Sequence, residues 1–478
     1  MMPSACNRIL NISSVAIVGA GPSGIASAKY LLAENAFQRI DIFEQRAKIG
    51  GLWDYKSSHK RVSPDYPIPQ TRHDQDPNEN ASPDTFLSPV YDRLETNIPR
   101  GLMGFSDLPW PKNSSLFPRH ETVTEYIEHY AKDVQHLIKF GTRIIKAQPS
   151  DDDILPGWQI TTENADKQRQ QFHYDAIIAS NGHFNVPHIP AIKGLDKWRS
   201  QDPDSISHSM FYKTPEDYRG KKTLLIGNGA SGVDIATQII TTCAQPLLQS
   251  TRSESFLLSD SGTHRLDLPE IAHLDPSDHS ATFMNGHVER DIDALLFCTG
   301  YFYSFPWLEV DPPLITDGTH VDNTYQHLFY RPIPTLAMPV LQQRVIPFPM
   351  AEAQAAVIAR LWSNRISLPS EAEMEAWEER QQEESGVGRN FHLLKFPKDA
   401  EYINMMHDWA MSSDEPGKGK EPPRWGEQEF WLRERFPAIK KAYHDLGEER
   451  WTIKSVEELG FDFKKWEEEK AREEKGLV

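Results

Sequence analysis

The chain has 478 residues, 38% of them hydrophobic and 25% charged, which is long enough for two or three domains and apolar enough for a sizeable core. Lys plus Arg number 51 against 69 Asp plus Glu, a net charge of -18, and this argues against non-specific DNA or RNA binding, which needs cationic side chains to displace counterions. Three cysteines, Cys6, Cys243 and Cys298, lie far apart without a CxxC pair, which excludes a zinc knuckle or dithiol redox pair and leaves free thiols in a reducing compartment.

Residues 1–14 lack the basic-then-apolar layout of a secretory signal, and no stretch has the run of about eighteen apolar residues that spans a membrane. The expected location is the cytoplasm, with no membrane anchor. Val15-Ala-Ile-Val18 reads as a strand, the glycines after it as a tight turn, and residues 25–32 as a helix. Ile40-Asp-Ile-Phe43 is a second strand, so a parallel sheet begins here. Residues 56–90, rich in Ser, Pro, Asp, Asn and His, read as a long irregular excursion. Residues 121–138 suit an amphipathic helix, Arg143-Ile-Ile145 a strand, and residues 158–162 and 171–180 a hairpin around a polar turn. A second strand, turn and helix spans 223–240, and Ala294-Leu-Leu-Phe297 is another buried strand. Beyond Thr299 the chain is Pro-rich to Pro349, then helical over 351–361 and again over the charged residues 370–385. Residues 412–424 suit an exposed loop, and 464–475 a solvated helix or tail. Asp175-Ala-Ile-Ile-Ala-Ser-Asn-Gly182 echoes Asp293-Ala-Leu-Leu-Phe-Cys-Thr-Gly300. Two buried strands share such a pattern by chance often enough that the echo alone assigns nothing.

Two glycine motifs carry the chemistry. In Gly19-Ala20-Gly21-Pro22-Ser23-Gly24, Gly19 turns the chain out of the strand, Gly21 lets the backbone approach a pyrophosphate, and Gly24 lets helix and strand pack closely. The helix N-terminus then aims free N–H groups at the phosphates. Glu44, twenty residues past Gly24 at the end of the next strand, is placed to accept ribose hydroxyls, as FAD or NAD requires. Gly227-Asn-Gly229-Ala-Ser231-Gly232 repeats the motif, but twenty residues past Gly232 stands Arg252, not an acid. A guanidinium pairs with a 2′-phosphate that a carboxylate would repel, which favours NADPH, with Glu254 nearby as a complication. Two motifs imply two dinucleotides, and a hydride donor beside a flavin is the natural pairing.

With these residues in view the chain resembles the flavin-containing monooxygenases, the class B flavoprotein oxygenases, over roughly residues 14–440. The segment from Glu44 through Gly50-Gly51-Leu52-Trp53 resembles the family's segment under the flavin. Tyr91-Asp-Arg-Leu-Glu-Thr96-Asn97-Ile-Pro99 resembles the segment carrying its active-site Asn. Phe105-Ser-Asp-Leu-Pro-Trp-Pro111 follows, and Asp293 to Tyr301 resembles the Phe-Ala-Thr-Gly-Tyr motif with Cys298 for Ala. Pro347-Phe-Pro, Glu352-Ala-Gln354 and Lys395 to Ile403 are similar to the short, anchor-free members of yeasts and fungi. The family identifier is kept only in its second half, His208-Ser209-Met-Phe-Tyr212, with Asp202 and Asp204 at its Phe and Gly positions.

The resemblance implies an α/β fold of two Rossmann-like domains, the NADPH domain (191–299) inserted into a discontinuous FAD domain (1–190 and 300–478). It implies an NADPH monooxygenase of the N,N-dimethylaniline type that oxygenates an amine nitrogen or a sulfide or thiol sulfur through a C4a-hydroperoxyflavin. Asn97 is then the catalytic residue, hydrogen-bonding between nicotinamide and flavin, with Thr96 beside it. Ser231, Gly232, Val233 and Asp234 are implied at the NADP pyrophosphate, and Gly51, Leu52, Trp53, His208 and Gln354 join the cofactor-binding set. The expected partners are a small nucleophile and O2, and the resemblance leaves a homodimer open. A Baeyer–Villiger oxygenase of ketones is the nearest rival, disfavoured by Tyr212-Lys213 where that family has Trp-Pro. A biosynthetic N-hydroxylase remains open on fold. A flavin disulfide reductase is excluded by the absence of paired cysteines, and a non-catalytic dinucleotide sensor has no use for the Asn97 segment.

Overall fold

The computed structural model describes residues 9–57, 66–150, 156–252, 264–413, 415 and 417–474. Cys6 and Glu254 lie outside these described residues. The chain begins β1 (Ser14–Val18), α1 (Pro22–Glu34), β2 (Arg39–Phe43), α2 (His120–Tyr130), β3 (Ile138–Lys139), β4 (Thr142–Pro149), β5 (Trp158–Asn164), β6 (Arg169–Tyr174) and β7 (Ala176–Ala179). It continues β8 (Val186–Pro187), α3 (Leu195–Gln201), β9 (Ile206–His208), β10 (Thr223–Ile226), α4 (Ala230–Ile239), β11 (Leu247–Ser250), β12 (Arg265–Leu268), β13 (Ile271–Asp275), β14 (Ser280–Phe283), β15 (Val288–Glu289), β16 (Ala294–Phe297) and β17 (Tyr301–Phe302). It closes with β18 (Thr324–Tyr325), β19 (Phe329–Tyr330), β20 (Leu336–Ala337), α5 (Pro347–Trp362), α6 (Glu371–Ser385), α7 (Lys398–Met411), α8 (Glu427–Asp445) and α9 (Phe463–Glu474). Among the described residues no helix is long and apolar enough to cross a membrane.

These elements form two compact units, the first of residues 1–54, 95–182 and 305–478. Its main sheet has the order β18-β19-β20-β7-β1-β2-β3, with β1 parallel to both β2 and β7. β1 and β7 are near-continuous apolar runs because helices cover parallel strands on both faces. α5 is mostly apolar, as suits a helix inside a core, and every residue from Phe348 to Trp362 is buried, Glu352, Gln354 and Arg360 among them. It packs on α1, where Ile25, Ala26, Ala28 and Leu31 are buried; each large apolar side chain sealed this way contributes about 1.5–3 kcal/mol. β4, β5 and β6 form a separate antiparallel sheet. α6 starts with a capping box, Ser370 with Glu373, as its Ser-x-x-Glu spacing demands. The loop expected over 412–424 is pinned: Arg365, bonded to the buried Glu34 (2.6 Å), also donates to the carbonyls of Lys418 (3.0 Å) and Glu415 (2.6 Å).

The second unit comprises residues 55–94 and 183–304. Five parallel strands run β12-β11-β10-β16-β9, beside an antiparallel β13-β14-β15 sheet. The insertion is therefore larger than residues 191–299. Residues 55–94 cross into it because Tyr66 and Ile68 enter its core beside Ile189, Trp198 and Phe211. Gln70 also exchanges backbone hydrogen bonds with Ile189 (3.0 and 2.9 Å), and Tyr91 joins the cluster of Tyr212, Ile235 and Leu296. Asp202 and Asp204 do no damage to the neighbouring strand. Asp202 ends α3 with its N–H on the Trp198 carbonyl (2.8 Å), and a short turn over Pro203–Ser205 leads into β9.

Candidate active site

The first cradle lies where β1 gives way to α1. The Gly19 N–H donates to the Phe43 carbonyl (2.8 Å) at the end of β2. At φ +99° Gly19 occupies backbone that other residues avoid, and a Cβ there would lie 2.7 Å from the Ser180 carbonyl oxygen after β7. A Cβ on Gly24 would lie 2.0 Å from the Gly19 oxygen, so this glycine seats the helix against the turn. Gly21 differs: its Cβ would meet only Gly51, at 3.6 Å, so Gly21 and Gly51 face each other as bare backbone. Gly50 donates to the Ala20 carbonyl (3.1 Å), which ties the Gly50-Gly51 turn to the motif, and Leu52 and Trp53 follow half-buried. No side chain caps α1 and its first turn holds no acid, so Pro22, Ser23 and Gly24 open an uncapped positive helix end.

Glu44 is buried and its carboxylate is already engaged: Oε2 accepts the Ala20 N–H and Oε1 the Arg46 N–H, both at 2.7 Å. Burial pushes its carboxyl up, and the two N–H donors pull it back. Glu44 thus braces the turn from below, with one lone pair left on each oxygen. The Ser180 Oγ is buried without a hydrogen-bond partner, beside the Gly19 turn. A side-chain-free cleft, an uncapped helix end and an orphaned buried hydroxyl fit a dinucleotide pyrophosphate.

The second cradle repeats this construction. The Gly227 N–H donates to the Ser250 carbonyl (2.9 Å) at the end of β11. At φ +111° its Cβ would fall 2.4 Å from the Cys298 carbonyl oxygen after β16, and a Cβ on Gly232 would fall 2.6 Å from the Gly227 oxygen. Gly229 faces open space at the N-terminus of α4, which again has neither side-chain cap nor acid in its first turn. The strand echo is thereby explained: β7 and β16 lie parallel beside the motif strands β1 and β10, and each ends with a carbonyl against the first glycine. Ser231 and Val233 are half-buried on the first turn. Arg252, just past β11, is exposed and its Nε donates to Glu270 (3.0 Å).

Asn97 sits in the first unit, half-buried, and its side chain bonds none of the described residues. Its neighbour Thr96 is fully engaged: N–H to the Pro118 carbonyl (2.9 Å), hydroxyl to the Ile98 carbonyl (2.9 Å), and carbonyl accepting from Lys440 Nζ (2.8 Å). The strip opposite, ending at Arg119, leads into α2, where Thr124 donates to the Trp53 carbonyl (2.9 Å). The asparagine segment and the Gly51–Trp53 turn are thus braced by one helix.

Three of the residues expected at the cofactors have hydrogen-bond partners within the fold. His208 is fully buried; one ring nitrogen accepts the Met210 N–H (3.1 Å) and the other meets the Gly300 carbonyl (3.1 Å), so it locks β9 to the strand-end turn. Asp234 points inward from α4 and takes the Tyr91 hydroxyl and Gln238 Nε2 (3.0 Å). Gln354, fully buried, accepts the Val340 N–H (2.8 Å) and donates to the Tyr402 hydroxyl (3.0 Å). Sequence reasoning missed Ser180 and Lys440. A signal for the last existed: Lys440 interrupts the apolar face of Phe436, Ile439 and Tyr443 on α8.

Two Rossmann-like units, each with a bare glycine turn under an uncapped helix, define an oxidoreductase with two dinucleotide sites. The family model described as flavin-binding monooxygenase-like matches residues 79–268 and 269–415, and one described as an NAD(P)-binding Rossmann-like domain matches 17–83. The chain belongs to this flavin-binding monooxygenase family, and with it has FAD- and NADP(H)-dependent monooxygenase chemistry on a small molecule with O2. It is 31% identical over 454 residues to flavin-containing monooxygenase FMO GS-OX-like 2 of Arabidopsis thaliana, covering 90% of each chain. It is 28% identical to flavin-containing monooxygenase ustF2 of Aspergillus flavus, over 89% of this chain and 98% of that one. Among solved structures, S-allyl-L-cysteine S-oxygenase from Allium sativum superposes with a TM-score of 0.73 at 25% identity, covering 93% of this chain and 96% of that one.

Proposed function

We propose that FAD occupies the first cradle and NADPH the second, and that the substrate is a soft nucleophile, a thioether sulfur ahead of an amine nitrogen. The observation that carries the choice of sulfur is the similarity, over nearly the whole chain, to an S-allyl-L-cysteine S-oxygenase. Bound FAD supplies the redox chemistry, taking electrons from NADPH and delivering them to O2. The protein contributes binding, orientation and exclusion of water. The N-terminus of α1 and the Gly21–Gly51 cleft receive the flavin pyrophosphate, Ser180 Oγ gains the partner it lacks, and the spare lone pairs of Glu44 accept from ribose. The α4 end receives the second pyrophosphate, and Arg252 turns from Glu270 to the 2′-phosphate. Asn97, with an uncommitted amide that both donates and accepts, orients the reacting groups at the flavin.

The test is product analysis with NADPH, O2 and a panel of S-alkyl cysteines, simple thioethers, tertiary amines and cyclic ketones. Sulfoxide formed one-for-one with NADPH supports the assignment. Selective conversion of ketones to esters replaces it with a Baeyer–Villiger reading, and a protein that never takes up flavin overturns it.

A further inference from the structure

We infer that Lys440, on α8 and beyond the stretch matched by the family model, is a positioning residue for Asn97. The inference rests on the role proposed above for Asn97. The Thr96 carbonyl belongs to the peptide unit that also carries the Asn97 nitrogen, so whatever holds that oxygen sets the direction in which residue 97 leaves the strip. Lys440 Nζ holds it at 2.8 Å from a buried position. The ammonium sits 4.3 Å from the centre of the Phe117 ring and 5.6 Å from that of Tyr443, which leaves it little freedom to swing away. Its charge is balanced by Glu95, whose carboxylate lies 3.9 Å away and is itself held by Arg450 (2.9 and 3.2 Å).

A buried ammonium is costly to desolvate, and an α8 face of Phe436, Ile439 and Tyr443 would pack as well around an apolar side chain. What an apolar side chain cannot do is donate to the Thr96 carbonyl. The other two bonds of Thr96 are to its own strip and to Pro118, so Lys440 is the contact that links this peptide to the C-terminal helices. Because Asn97 makes no side-chain hydrogen bond among the described residues, its direction is inherited from that peptide.

The experiment compares wild type, Lys440→Met, Lys440→Arg and Asn97→Ser as purified FAD-loaded enzymes. Four quantities are read: FAD content, the anaerobic rate of flavin bleaching by NADPH, hydrogen peroxide released per product formed with a turned-over thioether, and amide exchange at residues 96–102. Lys440→Met keeps length and packing, so FAD content and bleaching stay at the wild-type level. Peroxide per product rises about tenfold, the effect of losing one charged hydrogen bond, and the amides of 97 and 98 exchange faster. Lys440→Arg recovers coupling. The inference is overturned if Lys440→Met stays coupled with unchanged exchange while Asn97→Ser uncouples, or if coupling falls only in step with FAD loss. If Asn97→Ser itself remains coupled, the role of Asn97 falls and takes this inference with it. Should Lys440→Met not fold, Lys440→Leu, which also lacks a donor and suits the apolar surroundings, is read in the same four assays, and full coupling there with wild-type exchange overturns the inference.

Discussion

Alanine at Gly21 and alanine at Gly24 separate the ligand-facing and fold-holding halves of one motif. At Gly24 the new Cβ would start 2.0 Å from the Gly19 carbonyl oxygen. That neighbour is backbone, so no rotamer relieves the clash, and α1 must back away from β1 by about 1 Å. Overpacking of this kind costs about 1–3 kcal/mol. Removing glycine from a helix returns at most about 1 kcal/mol, so with a backbone clash at the upper end of that range the variant loses up to about 2 kcal/mol even without flavin. At Gly21 the backbone is extended (φ -79°, ψ 179°), which any residue adopts, and the Cβ meets only Gly51 at an ordinary 3.6 Å. The flavin-free protein keeps its stability to within about 0.5 kcal/mol, because loss of a good N-cap is offset by a less flexible unfolded chain. The methyl does stand in the cleft assigned to the pyrophosphate. Displacement costing about 1–3 kcal/mol weakens FAD binding by about 5- to 150-fold. Thermal melts of the deflavinated proteins and FAD titration followed by flavin fluorescence measure both quantities. Wild-type FAD affinity in Gly21→Ala, or equal destabilisation by the two variants, refutes the reasoning.

Replacing Arg252 by Ala should weaken NADPH binding by about tenfold or more while leaving NADH binding nearly unchanged, since only the phosphorylated ribose uses the guanidinium; equal losses for both cofactors would sink that assignment. Asn97→Ser should be reduced by NADPH at the normal rate yet release hydrogen peroxide in place of product, and a full product yield would remove Asn97 from the chemistry. His327 is fully buried against His392 (Nδ1 to Nδ1, 2.9 Å), and burial pushes its pKa down to about 3. The unfolded chain therefore takes up the proton first as pH falls: the contribution is whole above about pH 6.5 and at pH 5 about 2 kcal/mol has gone. Denaturant melts between pH 5 and 8 should show His327→Gln with a shallower pH dependence than wild type, and parallel curves would contradict this. Burial also pushes the thiols of Cys243 and Cys298 up, so both should resist alkylation at pH 8 in the folded protein and react once it is unfolded.

Local patterns were readable wherever one short segment specifies its own geometry. The glycine motifs, the strands before them and the helix at Pro347–Trp362 depend on backbone freedom or on a mostly apolar run, both visible in the letters. The course of residues 55–94 was not, because described contacts such as Gln70 with Ile189 and Tyr91 with Asp234 join partners more than a hundred positions apart with no periodic pattern. His208, Asp234 and Gln354 show a different limit. A resemblance transfers a position along the chain, whereas function depends on where the side chain points. Asp234 stands four residues before Gln238 on α4, and that spacing signals the intrahelical pair the two side chains form. Lys440 was passed over because a lysine in a helix usually faces water, and only its apolar neighbours at 436, 439 and 443 mark it as buried.

The way the two units share the chain dictates an order of assembly on the ribosome. The first unit starts with β1, yet β7 takes its second neighbour from Leu336–Ala337 and α1 takes its packing partner from Pro347–Trp362. The second unit has all its segments once residue 304 has emerged. Although it begins later, it is the first able to close its core, while the earlier-made strands wait with apolar faces uncovered. Nascent chains stalled a tunnel's length past residue 304 should therefore protect the second unit from protease and leave β1 and α1 open to it.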